Sequence, residues 1–348
     1  MPELPEVETV AHDLRGLIVG ATIVDATTHW ERTLRGISPE AFADGVAGRR
    51  IEAVGRRAKQ LVIELSGGAF LTIHLKMTGQ LFVVPGGGRE DPYVRLVLAL
   101  EDGREIRFRD IRKFGKIGLY VTDRDDPFAE IGPEPLADAF TVRAFRKRLR
   151  GRKGRLKPLL LDQTFVAGVG NIYADEALWA ARLHPLRTAR TLRPADERRL
   201  WHEIRRILAE AVIRRGSSID DYTAPDGDGE MQDHLMVYQR TGDPCHRCGH
   251  PIKRVVVGAR ATHFCSYCQR LPAVDRPGAR AILRTMTGGE PRRRAGLRRW
   301  TELPGGEGSV GPAIERATAH RAVPAGRAER TRRAAATRRA AARASVGG

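Results

Sequence analysis

The sequence predicts an α+β protein made of several parts, because three kinds of pattern follow one another along its 348 residues. Short β-rich runs occupy residues 21–121, amphipathic helical patterns occupy about 130–240, and two Cys-x-x-Cys pairs follow them. An Arg- and Ala-rich segment comes last. We therefore expect four parts, with the bounds 1–125, 130–240, 241–270 and 271–348.

The first part is expected to be an antiparallel β-sandwich or barrel preceded by a helix. Residues 7–18 place apolar side chains at helical spacing. Eight β-rich runs follow, broken by Gly, Asp and Pro, as in an all-β domain of short strands. The runs are ATIVDAT, RIEAVGRR, QLVIELS, AFLTIHL, QLFVVP, YVRLVLAL, REIRFRD and KIGLYV.

The second part has the pattern of a helical domain. Pro133 and Pro135 mark its beginning. Candidate helices span 141–150, 155–162, 170–181 and 194–215. Gly168 and Gly170 predict a tight turn before the third of these helices. The N–H groups and positive dipole end at such a helix start suit an anion.

The cysteine pairs predict a structural metal site. Cys245 and Cys248 are separated from Cys265 and Cys268 by sixteen residues, a spacing typical of a four-sulfur zinc site on a hairpin. Such a site is closed and has no open position for catalysis. A pair of redox dithiols is the alternative interpretation. We expect one zinc ion per chain.

The hairpin arms are expected to be 255–257 and 261–264, with Arg260 near the tip. At that place Arg260 can reach phosphates. The alternative is an Arg that is merely solvated at an exposed turn.

The charge balance favours an anionic partner. The formal net charge is +18, which points to nucleic acid first. Residues 271–348 hold seventeen Arg and six acidic residues, a net of +11, which leaves +7 for residues 1–270. No stretch is apolar enough to span a bilayer and no signal peptide is evident, so we expect a cytoplasmic protein without structural disulfides and without a membrane partner. With nucleic acid as its partner, the protein is expected to be nucleoid-associated. Nothing suggests an oligomer, so a monomer is expected.

The segment 271–348 has little apolar periodicity, and we expect it to be disordered. Three interpretations stay open. The segment can be a polycationic tether that raises nonspecific DNA affinity, a binding site for another partner, or nonfunctional sequence.

The N-terminus, MPELPEVET, carries a candidate nucleophile. Initiator Met is usually removed before a small residue, which would leave Pro2 with a free secondary amine. An α-amine has a reference pKa of about 7.7–8.0, so much of it is unprotonated near neutral pH. Such an amine can attack a sugar C1′ to form an iminium, with Glu3 as general acid or base. The alternative is an extended arm that simply enters the first helix.

The chain resembles the formamidopyrimidine-DNA glycosylase family. MPELPEVET matches the N-terminus of that family, and the match extends over the first 270 residues. The resemblance implies a β-sandwich with an N-terminal helix, then a helix-two-turns-helix domain that ends in a four-Cys zinc hairpin. It also implies a bifunctional DNA glycosylase/AP lyase of base excision repair.

The resemblance assigns catalytic roles to particular residues. Pro2 becomes the Schiff-base nucleophile and Glu3 the general acid/base, with Glu6 supporting the site. Lys59, in the family's R-R-A-K segment, assists β-elimination and contacts phosphate. Arg260 binds phosphates beside the lesion and assists δ-elimination. No Mg²⁺ is expected to be needed, because the amine supplies the electron sink.

The resemblance also implies a set of DNA-binding residues. The loops H-L-K-M-T-G and D-I-R-K-F-G supply three side chains that fill the hole left by an extruded nucleotide, and other positions hold phosphates. The three filling residues are Met77, Arg112 and Phe114. The remaining contacts expected are His74, Lys153, Lys157 and Asn171, the last with the amides at its helix start. Segment 216–230 is expected to be a flexible lid over the extruded base.

This chain departs from the family at Asp91-Pro92-Tyr93, where many relatives carry His-x-His, so Tyr93 is the candidate replacement contact. The implied substrates are 8-oxoguanine, formamidopyrimidines and abasic sites in double-stranded DNA. Three alternatives remain: the endonuclease VIII branch with oxidised pyrimidines, a catalytically dead lesion binder, and a zinc-ribbon scaffold. The Pro2, Glu3, Lys59 and Arg260 set speaks against the second, and the N-terminal motif against the third.

Overall fold

A computed structural model describes residues 1–88, 90–122, 124–218 and 229–288. Within them the chain forms two antiparallel sheets, a group of helices, a two-stranded hairpin and a C-terminal helix. The helices are α1 (Leu4–Ile18), α2 (Pro39–Val46), α3 (Val142–Arg150), α4 (Leu156–Leu161), α5 (Asn171–Ala180), α6 (Pro194–Ile213) and α7 (Arg276–Leu283). The strands are β1 (Ile23–Thr28), β2 (Ile51–Arg57), β3 (Gln60–Leu65), β4 (Ala69–His74), β5 (Gly79–Pro85), β6 (Val94–Leu100), β7 (Arg104–Asp110), β8 (Lys116–Val121), β9 (Lys253–Val257) and β10 (Arg260–Phe264).

The first eight strands form a β-sandwich, which confirms the predicted fold class. One sheet has the order β1-β6-β7-β5 and the other has the order β2-β3-β4-β8, with every pair antiparallel. Alternating apolar side chains from both sheets share one core, which α1 covers. All eight predicted runs are strands.

Helix α2 was not predicted, because residues 21–121 were expected to hold strands only. Ser38 caps this helix by accepting a hydrogen bond from the Ala41 amide at 3.2 Å. Phe42 and Val46 are its only buried residues, and both enter the sandwich core. Two apolar positions over eight residues are too few to show a helical period.

The four helices predicted between 141 and 215 are present as α3 to α6 and enclose a second core. Leu4 of α1 belongs to this second core, and its amide donates to the Gly168 carbonyl at 3.0 Å. Buried Arg56 bridges the two parts as well, with its guanidinium 2.9 Å from both Glu8 and Glu134. The N-terminus of the chain therefore lies where the sandwich meets the helices.

The prediction of disorder from residue 271 onward is wrong for 271–288. Residues there form a short 3-10 turn and α7, and Thr287 pairs with Arg254 on β9. The apolar residues that hold this segment are too few to show periodicity in an Arg-rich sequence. Residues 289–348 lie outside the described part of the chain. Among the described helices, none is both long and apolar enough to cross a membrane.

Candidate active site

The Glu3 carboxylate lies buried at the start of α5, next to buried Pro2. Its oxygens accept hydrogen bonds from the amides of Gly170 at 2.6 Å and Ile172 at 2.8 Å. Residue 170 has to be glycine, because a Cβ there would meet the Glu3 carboxyl carbon at 2.4 Å. Two distant segments therefore hold one carboxylate beside the second residue of the chain.

This arrangement corrects one expectation about α5. The amides at its start were expected to hold a DNA phosphate, but those of Gly170, Ile172 and Tyr173 already donate to Glu3. The positive end of the helix is thus used to hold a carboxylate of the protein itself.

Burial raises the pKa of Glu3, and the nearby charge of Glu6 adds to this effect. The charge of Lys59 and the Ile172 hydrogen bond oppose the rise. A carboxyl group whose pKa is raised keeps its proton at higher pH than an ordinary glutamate does. Glu3 is therefore suited to donate and accept a proton at the first residues of the chain.

Glu6 braces this site from the next turn of α1. Its carboxylate accepts hydrogen bonds from the Glu3 amide at 2.8 Å, the Tyr173 hydroxyl at 2.5 Å and the Ser217 amide at 2.8 Å. Neither Tyr173 nor Ser217 was predicted to contact Glu6, although Ser217 lies in the segment 216–230 that was expected to form a lid. No local pattern indicates them, since they meet Glu6 only through folding.

Lys59 lies in the tight turn between β2 and β3, where Ala58 has a φ of 54°. The side chain is only 7% exposed, and burial lowers its pKa against the opposing charges of Glu3 and Glu6. The charge of Arg260 lowers the pKa of Lys59 further, so both cations belong to one electrostatic site. Arg260 is exposed at the first position of β10, as expected for a hairpin tip.

Lys157 differs from its predicted role as a surface DNA contact, because its side chain is 0% exposed. The ammonium lies 2.7 Å from the Asp175 carboxylate and donates to the Asn171 carbonyl at 2.7 Å. Asp175 also accepts the His263 amide of β10 at 2.9 Å. Lys157 therefore ties the start of α5 to the hairpin and does not reach solvent.

Asn171 points across to the hairpin. Its Nδ2 donates to the Ala261 carbonyl at 3.0 Å, next to Arg260. Its Oδ1 is buried without a hydrogen-bond partner among the described residues. A buried amide oxygen without a donor is uncommon, and here it lies at the edge of the site.

The two loops expected to fill the DNA stack lie side by side. The Thr78 hydroxyl donates to Asp110 at 2.5 Å, and the same carboxylate accepts the Gly115 amide at 2.7 Å. Phe114 is 49% exposed, and the Arg112 guanidinium lies 5.0 Å from the centre of its ring. Met77 is half-buried. The structure thus places Met77, Arg112 and Phe114, the three residues predicted to fill the hole left by an extruded nucleotide, on two adjacent loops.

Lys113, between Arg112 and Phe114, holds this turn in place from outside. Its φ is 60°, in the left-handed region. Its ammonium lies 4.1 Å from the centre of the Trp30 ring, within the range of a cation–π contact. Trp30 was not singled out in the sequence.

His74, at the end of β4, is a neutral imidazole. Burial and the nearby charges of Lys76 and Lys59 lower its pKa to about 3. Its Nδ1 accepts the Lys76 amide at 3.1 Å, so the proton of the neutral ring is on Nε2. Nε2 is therefore a hydrogen-bond donor, which suits a phosphate oxygen.

Two further predicted contacts are at the surface. Tyr93 is 40% exposed, with the Arg109 guanidinium 5.1 Å from its ring centre. Lys153 is exposed in the turn before α4. Of the predicted lid, residues 219–228 lie outside the described part of the chain, while Ser217 at its start is fixed to Glu6.

The four cysteines form one cluster, and all four Sγ atoms lie within 4.8 Å of one another. The fully buried Trp179 donates its indole N–H to the Cys245 sulfur at 3.4 Å. The hydrogen bond with Cys265 lowers the pKa of Cys245, whereas burial raises the pKa of Cys268. A divalent cation would stabilise all four groups as thiolates. The cluster fits one structural zinc ion, as predicted.

Three family models match successive parts of the chain. The formamidopyrimidine-DNA glycosylase N-terminal domain matches residues 1–117, the H2TH domain of the same enzyme matches 131–223, and a zinc finger found in FPG and IleRS matches 242–271. A formamidopyrimidine-DNA glycosylase of Herpetosiphon aurantiacus is 47% identical over 274 residues, which are 77% of this chain and 100% of that protein. A Roseiflexus enzyme of the same name is 48% identical, with 78% and 100% covered.

The chain belongs to the formamidopyrimidine-DNA glycosylase family. It is therefore a DNA-repair enzyme, a DNA glycosylase and AP lyase, with a zinc finger. This assignment excludes the zinc-ribbon scaffold.

Solved structures of the family have the same fold. A complex between the Lactococcus lactis Fpg and DNA containing an abasic site has a TM-score of 0.73 and 37% identity, covering 77% of this chain and 99% of that chain. A complex of the wild-type Lactococcus lactis protein with N7-benzyl-Fapy-dG DNA has the same score and identity, covering 77% and 100%. The Thermus thermophilus protein has a TM-score of 0.70 and 43% identity, covering 78% and 100%. The family models end at residue 271, so α7 lies beyond them.

Proposed function

We propose that this chain removes oxidised purines, namely 8-oxoguanine and formamidopyrimidines, from double-stranded DNA and then cleaves the abasic strand. The support is its place in the family, together with complexes of the Lactococcus lactis protein with Fapy-dG-containing and abasic DNA. A protein with this substrate acts at the nucleoid. The observation that carries the proposal is the buried Glu3 carboxylate, held by the amides of α5 beside Pro2.

Base release begins at Pro2, once Met1 has been removed. The lone pair of the Pro2 nitrogen forms a bond to C1′, and the bond between C1′ and the base breaks, so that the base leaves with the electron pair and takes up the proton that the Pro2 nitrogen loses. The raised pKa of Glu3 lets it protonate the sugar ring oxygen as the ring opens to an iminium. Glu6 keeps Glu3 in place through the Glu3 amide.

Strand cleavage follows from the iminium, which makes the C2′ proton acidic. Loss of this proton expels the 3′ phosphate in β-elimination, and a second proton loss from C4′ expels the 5′ phosphate in δ-elimination. The lowered pKa of Lys59 favours a neutral amine that can take up a proton. The exposed guanidinium of Arg260 can hold the phosphate that leaves in the second step.

The nucleotide has to leave the stack before Pro2 can reach C1′. Unstacking costs a few kcal/mol, and inserted side chains offset it. The exposed Phe114, the adjacent Arg112 and the half-buried Met77 are available for this role. The donors for phosphates are the Nε2 proton of His74, the Lys153 ammonium and the Asn171 side chain, with Tyr93 as the contact particular to this chain.

Borohydride trapping tests the proposal. The mature full-length protein is incubated with a duplex that contains 8-oxoguanine opposite C, and borohydride then reduces any iminium to a stable adduct. We expect a covalent adduct with the wild type and none with Pro2→Gly or with a form that retains Met1. The Glu3→Gln variant should trap an abasic duplex better than an 8-oxoguanine duplex, because an abasic site needs no base release.

A duplex with an oxidised pyrimidine and one with an abasic site complete the design. Preferential trapping on the pyrimidine would favour the endonuclease VIII branch. Trapping on the abasic duplex alone would leave the lyase step and reject the base specificity. No adduct on any duplex would reject the Pro2 mechanism.

A further inference from the structure

Helix α7 packs against the zinc hairpin through apolar side chains. Ala279 is fully buried, and Ile282 and Leu283 pack against a small apolar cluster. The cluster consists of Leu186, Val255, Val257, Phe264 and Leu271. These residues come from the helical domain, both hairpin strands and the segment before α7. Burial of apolar area at this point therefore fixes α7 to two parts of the protein.

Polar contacts hold both ends of this segment. Before the helix, the buried Asp275 accepts hydrogen bonds from the hydroxyls of Thr188 at 2.8 Å and Thr191 at 3.0 Å. After the helix, Thr287 and Arg254 exchange two backbone hydrogen bonds, of 3.0 and 2.9 Å. The segment is thus an ordered extension of the hairpin sheet.

The outward face of α7 is basic. Arg276, Arg280 and Arg284 follow one another at intervals of four residues, so they share one side of the helix, and all three are exposed. The helix contains no acidic residue, and the described residues form no ion pair with any of the three. Three unneutralised guanidinium groups in a row are suited to an anionic partner of extended shape.

This row adjoins a segment that already carries a predicted DNA contact. The Arg155 guanidinium donates to the Gly278 carbonyl within α7, and Arg155 lies two residues after the exposed Lys153. On its other side α7 packs on β9, the partner strand of the one that begins at Arg260. Helix α7 therefore lies between the segment that carries Lys153 and hairpin strand β9.

We infer that α7 adds a second phosphate-binding surface to this enzyme and that its occupant is the backbone of duplex DNA beyond the lesion. At 1.5 Å per residue, the three Arg side chains span about 12 Å. Phosphates of one strand are spaced about 3.4 Å apart along the helix axis, so the row matches about four of them. The inference rests on DNA as the substrate, but it does not depend on the chemistry at Pro2.

Binding to undamaged DNA tests this surface without any turnover. The full chain is titrated against a fluorescein-labelled 30-bp duplex by anisotropy at several salt concentrations. Each phosphate contact contributes about 0.9 to the slope of log K against log salt. The variant with Arg276, Arg280 and Arg284 changed to Gln should lose about 2 to 3 from that slope and at least about tenfold in affinity at 0.1 M salt.

A matched control removes the same net charge elsewhere. Arg50, Arg104 and Arg124 lie at the far end of the sandwich, at the start of β2, the start of β7 and just after β8. Changing these three to Gln should leave the slope within about 0.5 of the wild type. A version of the α7 variant with Lys in place of Gln should restore most of the slope, because the charges return.

Equal slopes for the α7 variant and the control would overturn the inference. So would a loss of affinity for an RNA hairpin or a poly-Glu peptide with no loss for the duplex. Zinc content and thermal unfolding of each variant show whether it is folded. If borohydride trapping fails but the α7 slope effect appears, the catalytic proposal fails and the α7 inference stands.

Discussion

Removal of Lys157 gives the sharpest test of how the start of α5 is held. Lys157 and Asp175 are both 0% exposed, with the ammonium 2.7 Å from the carboxylate. In Lys157→Met the Asp175 carboxylate would remain buried without its cation. Breaking a buried pair by removing one partner typically destabilises a protein by about 3–5 kcal/mol. Solvent does not screen the attraction between these two charges, because neither side chain reaches water.

A double variant separates the charge effect from a packing effect. In Lys157→Met with Asp175→Asn no charge is buried, and the Asn oxygen can still accept the His263 amide that Asp175 holds at 2.9 Å. We expect this double variant to lose only about 1–2 kcal/mol, less than Lys157→Met alone. The free energies of unfolding come from urea titrations of the zinc-loaded protein, with the slope m checked for constancy.

The same change should reach DNA binding through Asn171, whose carbonyl accepts a hydrogen bond from Lys157. Affinity for an abasic duplex should fall about tenfold or more in Lys157→Met and recover in part in the double variant, since one hydrogen bond to a charged group contributes about 1.5–3 kcal/mol. A loss of stability below about 1 kcal/mol in the single variant would refute the reasoning. So would a double variant less stable than the single one.

Three further results are expected. Glu3→Gln should gain stability relative to the wild type as pH rises above about 4.3, the pKa of Glu in the unfolded chain, by up to about 1.4 kcal/mol per pH unit until the raised pKa of folded Glu3 is passed, as measured by urea unfolding at each pH. Cys265→Ser should lose zinc, measured by metal analysis, together with Arg260-dependent δ-elimination on an abasic duplex. Trp30→Leu should slow base release about 2- to 20-fold in single-turnover assays, because Lys113, which lies between Arg112 and Phe114, would lose its cation–π contact.

Glu3→Gln is expected to gain relative stability with rising pH because burial raises the pKa of Glu3 in the folded protein. The stability that the wild type gains from a protonated Glu3 is fully present below the pKa of Glu in the unfolded chain. It is lost as pH rises through the pKa of Glu3 in the folded protein. A constant difference between the variant and the wild type would contradict this. For the zinc site, full δ-elimination without metal would be the contrary outcome. For Trp30, the control is Lys113→Met, which should slow base release equally, with no added effect in the double variant.

Patterns confined to short stretches predicted much of this molecule. The short β-rich runs between 21 and 121 are the eight strands of the sandwich, and the helical patterns between 141 and 215 are α3 to α6. The two cysteine pairs predicted the four-sulfur cluster. These features depend on residues close together in the sequence, or on a ligand set with a characteristic spacing. The family followed from the N-terminal motif and the match along the first 270 residues.

Patterns failed where a weak local signal was overridden by packing. Helix α2 has only two buried residues, and α7 lies in a segment whose Arg and Ala content predicts disorder. Both form because apolar side chains such as Phe42 and Ala279 find existing cores. Helical stability in proteins comes largely from such packing, so sequence periodicity alone could not reveal it.

The residue types and spacings of the chain indicated which groups could take part in chemistry: an N-terminal Pro2, an adjacent acid, four thiols and several basic side chains. Their states were decided by contacts between distant segments. Glu3 takes the α5 amides from residues 167 to 170 positions away, and Lys157 is withdrawn from the surface by Asp175. Hydrogen bonding and the loss of water set the charge and reach of each group, and both arise only when the chain has folded.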